Sequence, residues 1–271
     1  MSAVDVAAPL RFWSVTDVGR VRPHNEDFIG DPKSFSMLAD EKRLGERGWL
    51  FAVADGMGGH ARGEVASRLA IEALFTSFYT SPVPGDCQER LKRAFSAANL
   101  AVFRAGHLAA PELAGPDASN PDATLARMGT TLVAVAVLQH TVFFGNVGDS
   151  RAYMMEGDRL EQISQDHSLV AEEVRQGLIK AEDARSVPMR NVITKALGAR
   201  ENVEPDFFWR TWPRGGRLLL CSDGLHGPVE DQAIEATLKT LGPAEGARRL
   251  VDAANEAGGP DNISVVVVSA S

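Results

Sequence analysis

The chain has 271 residues, of which 44% are hydrophobic and 24% charged, as is usual for a soluble globular protein of one large or two small domains. Its formal net charge of −8 provides no basic excess to neutralise phosphates, so we expect no nucleic-acid partner. No apolar run approaches the roughly 20 residues that span a bilayer, and the first residues lack a secretory pattern. We therefore expect a cytoplasmic protein with no membrane contact.

The first half of the chain predicts two strands and then two helices. Strands are predicted over 12–16 and 50–54, and helices over 63–78 and 88–103, from the spacing of their apolar residues. The residues from 18 to 27 are polar and are predicted to form a loop. The proline-rich stretch 111–122 is predicted to be a surface loop, because core-like sequence resumes after it.

The second half is richer in strands. Strands are predicted over 130–138, 141–148, 151–156, 159–164, 207–212, 217–223 and 263–270, and helices over 168–177, 180–185, 230–238 and 244–257. Consecutive strands separated by short turns pair antiparallel, whereas βαβ units would alternate strand and helix. The pattern favours an α+β sandwich with mainly antiparallel sheets.

Aspartates recur at the ends of these apolar runs, most of them beside a glycine. They are Asp55, Asp149, Asp223 and Asp261. Arg22, Glu26 and Asp27 lie in the loop after the first strand. Asp-Gly is also a common turn dipeptide, so one pair alone would indicate only a turn. Four at strand ends can converge on one point, and such a cluster repels itself unless it holds cations.

The chemistry of this group of residues favours hard divalent cations. Oxygen ligands without His or Cys select Mg²⁺ or Mn²⁺, with Ca²⁺ less favoured, and the Gly56 carbonyl could add a further ligand. Two ions bridged by one carboxylate would acidify a shared water. Arg22 suits bidentate contact with a phosphoryl group. The sequence therefore indicates hydrolysis of phosphate esters.

Residues 56–61 also match the glycine pattern of dinucleotide-binding loops. That function requires an acidic residue at the end of the next strand, about 20 residues later. No buried strand is evident over 78–86, and the other aspartates would be left without a role. The metal site is the better interpretation.

The motifs together resemble the metal-dependent Ser/Thr protein phosphatases (the PPM family, also called type 2C) in their bacterial form. The matching stretches are TDVGRVRPHNEDF (16–28), FAVADGMGGHARGEVAS (51–67), MGTTL (128–132), FGNVGDSRAY (144–153), ISQDHSLV (163–170), VITKALG (192–198), LLLCSDGL (218–225) and GGPDNISVVVV (258–268). They cover nearly the whole chain in family order. The resemblance implies a four-layer α-β-β-α sandwich with a dinuclear site at one edge of two central sheets.

The resemblance also implies a role for each acidic residue. Asp55 would bridge two Mn²⁺ or Mg²⁺ ions, the Gly56 carbonyl would complete the second site, and Asp223 and Asp261 would hold the first ion. Asp27 would bind at the second site directly or through water, with Glu26 beside it. Asp149 would share a third, weaker site with Asp223. Arg22 would bind the substrate phosphate, and Asn262 would orient Asp261 or a bound water.

One position departs from the pattern of the family's eukaryotic members. They carry a histidine after the Asp-Gly pair, a proposed acid for the leaving group, and this chain has Met57 there. His60 is interpreted as a surface or capping residue. Residues 165–190 resemble the family's variable flap beside the site. Its Arg175, Lys180 and Arg190 are interpreted chiefly as solvated charges.

The resemblance implies one domain over 1–271, monomeric, that hydrolyses phosphoserine and phosphothreonine by direct attack of a metal-bridging water. Its partners would be phosphorylated proteins, as an opponent of Ser/Thr kinases in bacterial signalling. Two alternatives stay open: a catalytically inactive binding module, although every acidic position is present, and a regulator of anti-sigma-type partners, which differs only in substrate.

Overall fold

The computed structural model describes residues 10–58, 62–83, 85–108, 128–187, 189 and 191–270. The strands in these ranges are β1 Arg11–Asp17, β2 Asp27–Gly30, β3 Trp49–Met57, β4 Gly129–Thr130, β5 Leu132–Leu138, β6 Thr141–Val147, β7 Arg151–Glu156, β8 Arg159–Gln162, β9 Asp206–Thr211, β10 Arg217–Cys221 and β11 Ile263–Ser269. The helices are α1 Glu41–Arg47, α2 Arg62–Thr80, α3 Cys87–Leu108, α4 Leu169–Arg175, α5 Asp223–His226, α6 Asp231–Thr240 and α7 Pro243–Glu256. A 3₁₀ helix covers Ala181–Ser186.

The strands form two antiparallel sheets. The first sheet has the order β1-β11-β10-β7-β8, and the second has the order β2-β3-β5-β6-β9, with the short β4 added to the end of β3. The last long strand, β11, lies between β1 and β10, so the two ends of the described chain meet in the first sheet. Each sheet therefore depends on contacts between residues far apart in sequence.

Three apolar cores separate four layers. One core packs α2 and α3 against the second sheet, one lies between the sheets, and one packs the C-terminal helices against the first sheet. Strand β3 shows why its sequence is apolar throughout: Leu50 and Ala52 face the helices, while Phe51 and Val53 face the other sheet. Side chains alternate along a strand, so a strand between two cores buries both faces. The predicted α+β fold and its α-β-β-α layering are confirmed.

The predicted elements match the structure except in five places, one of which is that the predicted strand 217–223 ends at Cys221 and an unpredicted helix, α5, begins at Asp223. Strand β2 begins at the end of the stretch predicted as a loop, and helix α1 was not predicted. The predicted strand 130–138 is interrupted at Thr131, because β4 pairs with the tip of β3 before β5 begins. The predicted helix 180–185 is a 3₁₀ helix. The predicted loop 111–122 and His60 lie outside the described residues.

The segment predicted as a flap contains α4 and the 3₁₀ helix. Its two ends meet beside β4, where the His167 carbonyl accepts from the Thr194 amide at 2.8 Å and Ser168 pairs with Ile193. The Ser168 hydroxyl caps α4 by accepting from the Ala171 amide. No helix within the described ranges combines the length and the apolar character needed to cross a membrane.

Candidate active site

The aspartates singled out in the sequence lie at one edge of the two sheets. Asp27 and Asp55 face each other on β2 and β3, and Asp149 follows β6. Asp223 begins α5 directly after β10, and Asp261 precedes β11. Antiparallel neighbours bring alternate strand ends to the same edge, which explains how residues so distant in sequence converge.

Asp27 and Asp55 form the centre of this edge. They are directly opposite in the antiparallel register of β2 and β3, a position in which like charges destabilise a sheet. Burial raises the pKa of Asp27 to about 7, and burial together with the charge of Asp27 raises the pKa of Asp55 well above its usual value. Both carboxyls are therefore hard to ionise together without a compensating cation.

Asp223 and Asp149 extend the cluster toward the first sheet. Burial, followed by the charge of Asp261, raises the pKa of Asp223 to about 6, and its carboxyl is within hydrogen-bonding reach of Asp55. Burial, followed by the charge of Asp223, raises the pKa of Asp149 to about 8. Repulsion from neighbouring carboxyls, Asp261 among them, thus adds to the effect of burial in raising these pKa values.

Three carboxylate oxygens in this cluster are buried without a hydrogen-bond partner: Oδ1 of Asp27, of Asp149 and of Asp223. Unpartnered buried oxygens are costly, and a hard divalent cation is the partner that carboxylate oxygens at such a point require. In the described ranges, no three His, Cys, Asp or Glu side chains already stand as a preformed metal site. The donor set, made only of oxygen atoms, fits hard divalent cations in its chemistry.

Arg22 places a positively charged side chain at the rim of this carboxylate cluster. Its Nη2 donates to Asp261 Oδ2 at 2.7 Å, and half of its side chain is exposed to solvent. This hydrogen bond, and the charges of Asp261 and Asp55, raise the pKa of the guanidinium. Arg22 therefore presents a permanently charged donor group beside the acidic cluster, open to a ligand from solvent.

Gly56 and Glu26 lie beneath the cluster, where backbone segments pack closely. A Cβ at Gly56 would collide with the Gly63 carbonyl and stand 2.7 Å from the Glu26 carbonyl. The Gly56 amide donates to the Glu26 carbonyl at 3.1 Å, and the Ser67 hydroxyl donates to the same carbonyl at 2.6 Å. Only glycine allows β3, the Glu26 loop and the start of α2 to meet at this point.

Asn262 organises the loop that carries Arg22 and Glu26. Its Oδ1 accepts from the Glu26 amide at 2.8 Å, and its Nδ2 donates to the carbonyls of Val18 and His24 at 3.0 and 2.9 Å. The contact to Asp261 comes from the Asn262 backbone amide, which donates to Oδ1 of Asp261 at 2.9 Å. The side chain thus positions the loop, in addition to the role that the resemblance implied, which was to orient Asp261 or a bound water.

Sequence reasoning missed two serines that support Asp27. The Ser222 hydroxyl donates to Asp27 Oδ2 at 2.7 Å and accepts from the Ser264 amide at 3.0 Å. The Ser264 hydroxyl, which hydrogen-bonds Thr16 Oγ1 at 2.8 Å, also helps to hold the pKa of Asp27 down against burial. Both serines are fully buried. The only signal in the sequence is that Ser222 precedes Asp223 in a strand end, which does not identify its partner 195 residues away.

The charged flap residues have partners within their own segment. The Arg175 guanidinium donates to the Asp166 carbonyl at 3.1 Å, and Lys180 pairs with Glu182 at 3.3 Å. Arg190 lies outside the described residues.

Met57 ends β3 opposite Gly129 and carries no acidic proton.

The chain matches the family model described as Protein phosphatase 2C over residues 39–254, which is well over half of its length. It belongs to the protein phosphatase 2C family. The matched range includes Asp55, Asp149 and Asp223 of the cluster, whereas Arg22 and Asp261 lie outside it.

Two curated relatives of this protein phosphatase 2C chain come from bacteria. The serine/threonine protein phosphatase PstP of Mycobacterium tuberculosis is 40% identical over 97% of this chain, which spans 45% of that relative's length. The serine/threonine phosphatase stp of Listeria innocua is 35% identical over 93% of both chains. The crystal structure of the PstP catalytic domain in complex with two manganese ions matches 96% of this chain and 97% of that one, with 36% identity and a TM-score of 0.77. The family and fold predicted from the sequence are confirmed.

Proposed function

We propose that this chain is a Mn²⁺- or Mg²⁺-dependent protein phosphatase that hydrolyses phosphoserine and phosphothreonine. The observation that carries the proposal is the buried carboxylate cluster, with three unpartnered oxygens, next to the half-exposed Arg22. Membership of the protein phosphatase 2C family and the activities named for the bacterial relatives support it. The two manganese ions of the PstP structure support the choice of metal.

The carboxylates would hold two divalent ions at the cluster. Asp55 faces Asp27 across β2 and β3, and its charge interacts with that of Asp223, so it would help to hold both ions, with Asp223 and Asp261 at one of them. Asp27 and the Gly56 carbonyl would serve the other ion, and Glu26 would lie behind them. Asp149 with Asp223 would hold a third, weaker ion. Bound ions of this kind supply positive charge and acidify a coordinated water, which gives a nucleophile near neutral pH.

The chain's own residues would position the substrate. The planar guanidinium of Arg22 matches two oxygens of a phosphoryl group, and its exposure lets a phosphorylated side chain approach from solvent. Asp261 holds Arg22 at the rim, and Asn262 fixes the loop that carries it. With the phosphoryl group held by Arg22, attack by a water would be in line and would require no phosphoenzyme.

The substrates we propose are phosphorylated proteins, including Ser/Thr kinases and their targets in bacterial signalling. We further propose that 1–271 acts as one domain and as a monomer in the cytoplasm, with residues 165–190 as a flap against which a phosphopeptide packs. Exposed apolar side chains in this segment, Leu178 and Met189, support that role for the flap.

The test is hydrolysis of a phosphoserine or phosphothreonine peptide by the purified chain. We expect activity with Mn²⁺, its loss after exhaustive chelation, and its return when Mn²⁺ is restored. Undiminished activity in the chelated protein would contradict the proposal. A phosphotyrosine peptide of the same sequence serves as the control for the substrate class.

A further inference from the structure

Asp149, unlike Asp27 and Asp55, lies in the segment that joins two strands and not on a strand. It follows Gly148, whose φ of +102° is a conformation that favours glycine, and a Cβ there would stand 2.6 Å from Thr131 side-chain atoms. The Asp149 side chain is 6% exposed and its Oδ1 is unpartnered. Something other than the β ladder must therefore hold this backbone in place.

His167 holds the residue before Asp149. The Gly148 amide donates to Nδ1 of His167 at 3.0 Å, and the His167 amide donates to the Gly148 carbonyl at 3.0 Å. Because an amide can only donate, Nδ1 must be unprotonated, and a neutral ring then carries its proton on Nε2. Burial lowers the pKa of His167, in keeping with a neutral ring. Nε2 lies 3.2 Å from Asp206 Oδ2.

His226 holds Asp149 from the other side. Its Nε2 lies 3.0 Å from the Asp149 carbonyl, which can only accept, so this nitrogen carries a proton. His226 is buried at the end of α5, the helix that begins with Asp223. The same short helix therefore supplies the Asp223 carboxylate and the His226 ring that donates to the Asp149 carbonyl.

We propose that His167 and His226 are positioning residues that fix the Gly148–Asp149 backbone and so keep the Asp149 carboxylate beside Asp223. The inference rests on the proposed function, since it concerns the divalent ion that Asp149 and Asp223 would share. Neither imidazole is a ligand to that ion. Each acts through the backbone, and loss of either contact weakens the cation site at Asp149 while the Asp55 site retains its ligands.

Paired substitutions separate the hydrogen bonds from the volume of the rings. His226→Gln keeps an N–H donor near the position of Nε2, and His226→Leu removes it. His167→Asn keeps an acceptor near the position of Nδ1, and His167→Leu removes it. His107→Leu, on an exposed histidine of α3, is the matched control. Calorimetric titration of each chelated protein with Mn²⁺ alone gives the affinity of every binding step without reference to activity.

We expect the two leucine variants to lose about 10-fold or more in the weakest Mn²⁺ step, as outer contacts of metal sites commonly do. The tight steps should stay unchanged, and the glutamine and asparagine variants should bind like the parent. Parent affinity at every step in the leucine variants would overturn the inference, as would equal losses in the leucine and the amide variants. If the parent itself bound no Mn²⁺, the proposed function would fail first.

A measurement on the parent protein does not depend on whether any variant folds. The ¹⁵N chemical shifts of the imidazole rings report which nitrogen carries the proton. We expect a protonated Nε2 in both rings and an unprotonated Nδ1 in His167. A proton on Nδ1 of His167, or an unprotonated Nε2 in His226, would overturn the inference.

Discussion

At the scale of single residues, the site depends on a few polar contacts. Arg22 has one carboxylate partner and an exposed face, whereas Ser222 is buried between Asp27 and the Ser264 amide. The first kind of residue is free to bind a ligand, and the second kind fixes the geometry of its neighbours. Substitutions at the two positions should therefore affect different measurements.

Replacing Arg22 should weaken substrate binding and catalysis with little effect on folding. We expect Arg22→Ala to lower kcat/KM for a phosphopeptide by about 10- to 100-fold, the equivalent of one charged hydrogen bond of about 1.5–3 kcal/mol. Arg22→Lys should recover only part of the loss, because an ammonium cannot donate in the same fork. Arg20→Ala, in the same loop, is the control. Parent kcat/KM in Arg22→Ala would exclude the proposed phosphate contact.

Replacing Ser222 should instead lower the stability of the protein. Ser222→Ala leaves Asp27 Oδ2 and the Ser264 amide without this partner, and an unsatisfied buried polar group costs about 1–3 kcal/mol. Urea unfolding of the chelated protein measures the change, with Ser36→Ala on the surface as the control. A midpoint equal to that of the parent would show that the Ser222 hydroxyl does not support Asp27.

At the scale of elements, the site is built where segments meet too closely for side chains. Gly56 on β3 touches the backbone of α2 and of the Glu26 loop. At Gly45 in α1, a Cβ would meet no described atom within 4 Å apart from its chain neighbours and the backbone of its own helix. Gly56 is therefore tightly packed, whereas Gly45 has open space beside it. Substitution of each by alanine gives a matched pair of variants.

Adding one methyl group should have opposite effects at these two positions. Gly56→Ala should destabilise the protein by about 1–3 kcal/mol, because backbone must move to admit the methyl group. Gly45→Ala should be neutral or stabilising by up to about 1 kcal/mol, because alanine loses less conformational entropy in a helix. Denaturant unfolding of the chelated variants tests both. Equal stability of the two variants would contradict the close approach at Gly56.

The same scale shows what the sequence could and could not reveal. Apolar runs ending in aspartate predicted the strand ends and the acidic cluster, because both features are local. Strand β2 was missed because it has four residues and follows a polar loop. The loop contacts of Asn262 and the ring contacts of His226 were missed because they join backbone atoms that are distant in sequence. Such contacts form only through tertiary packing, so no local sequence pattern predicts them.

At the scale of the whole molecule, three cores hold two sheets so that their acidic strand ends share one edge. Burial in this frame is the first cause of the raised pKa of every carboxyl in the cluster that shows one. The fold therefore holds carboxylates that repel one another at the site, and bound protons or divalent ions reduce this repulsion. Stability should respond to both.

The stability of the chelated protein should fall as pH rises from about 5 to 8. Asp27, Asp149 and Asp223 have folded-state pKa values of about 7, 8 and 6, above the roughly 3.9 of an unfolded aspartate. The folded state thus binds more protons than the unfolded state across this window. The free energy of unfolding therefore falls as pH rises from the unfolded pKa to the folded pKa of each group. Thermal unfolding with and without Mn²⁺ measures the effect, which the ion should reduce.

Asp27→Asn provides the control for this pH dependence. It removes one of the titrating groups, so its unfolding midpoint should fall less steeply over the same range. A chelated parent protein whose midpoint rises between pH 5 and 8 would contradict the account, as would a variant with the same slope as the parent.

The most direct test of the central claim is the steady-state kcat/KM of Asp55→Asn for a phosphoserine peptide at saturating Mn²⁺. Asp55 lies at the centre of the carboxylate cluster, so we expect the loss of several kcal/mol of transition-state stabilisation, at least about 1,000-fold. Asp252→Asn, on the exposed face of α7, should behave as the parent does. Parent-like kcat/KM in Asp55→Asn would contradict a cation-dependent site at this cluster.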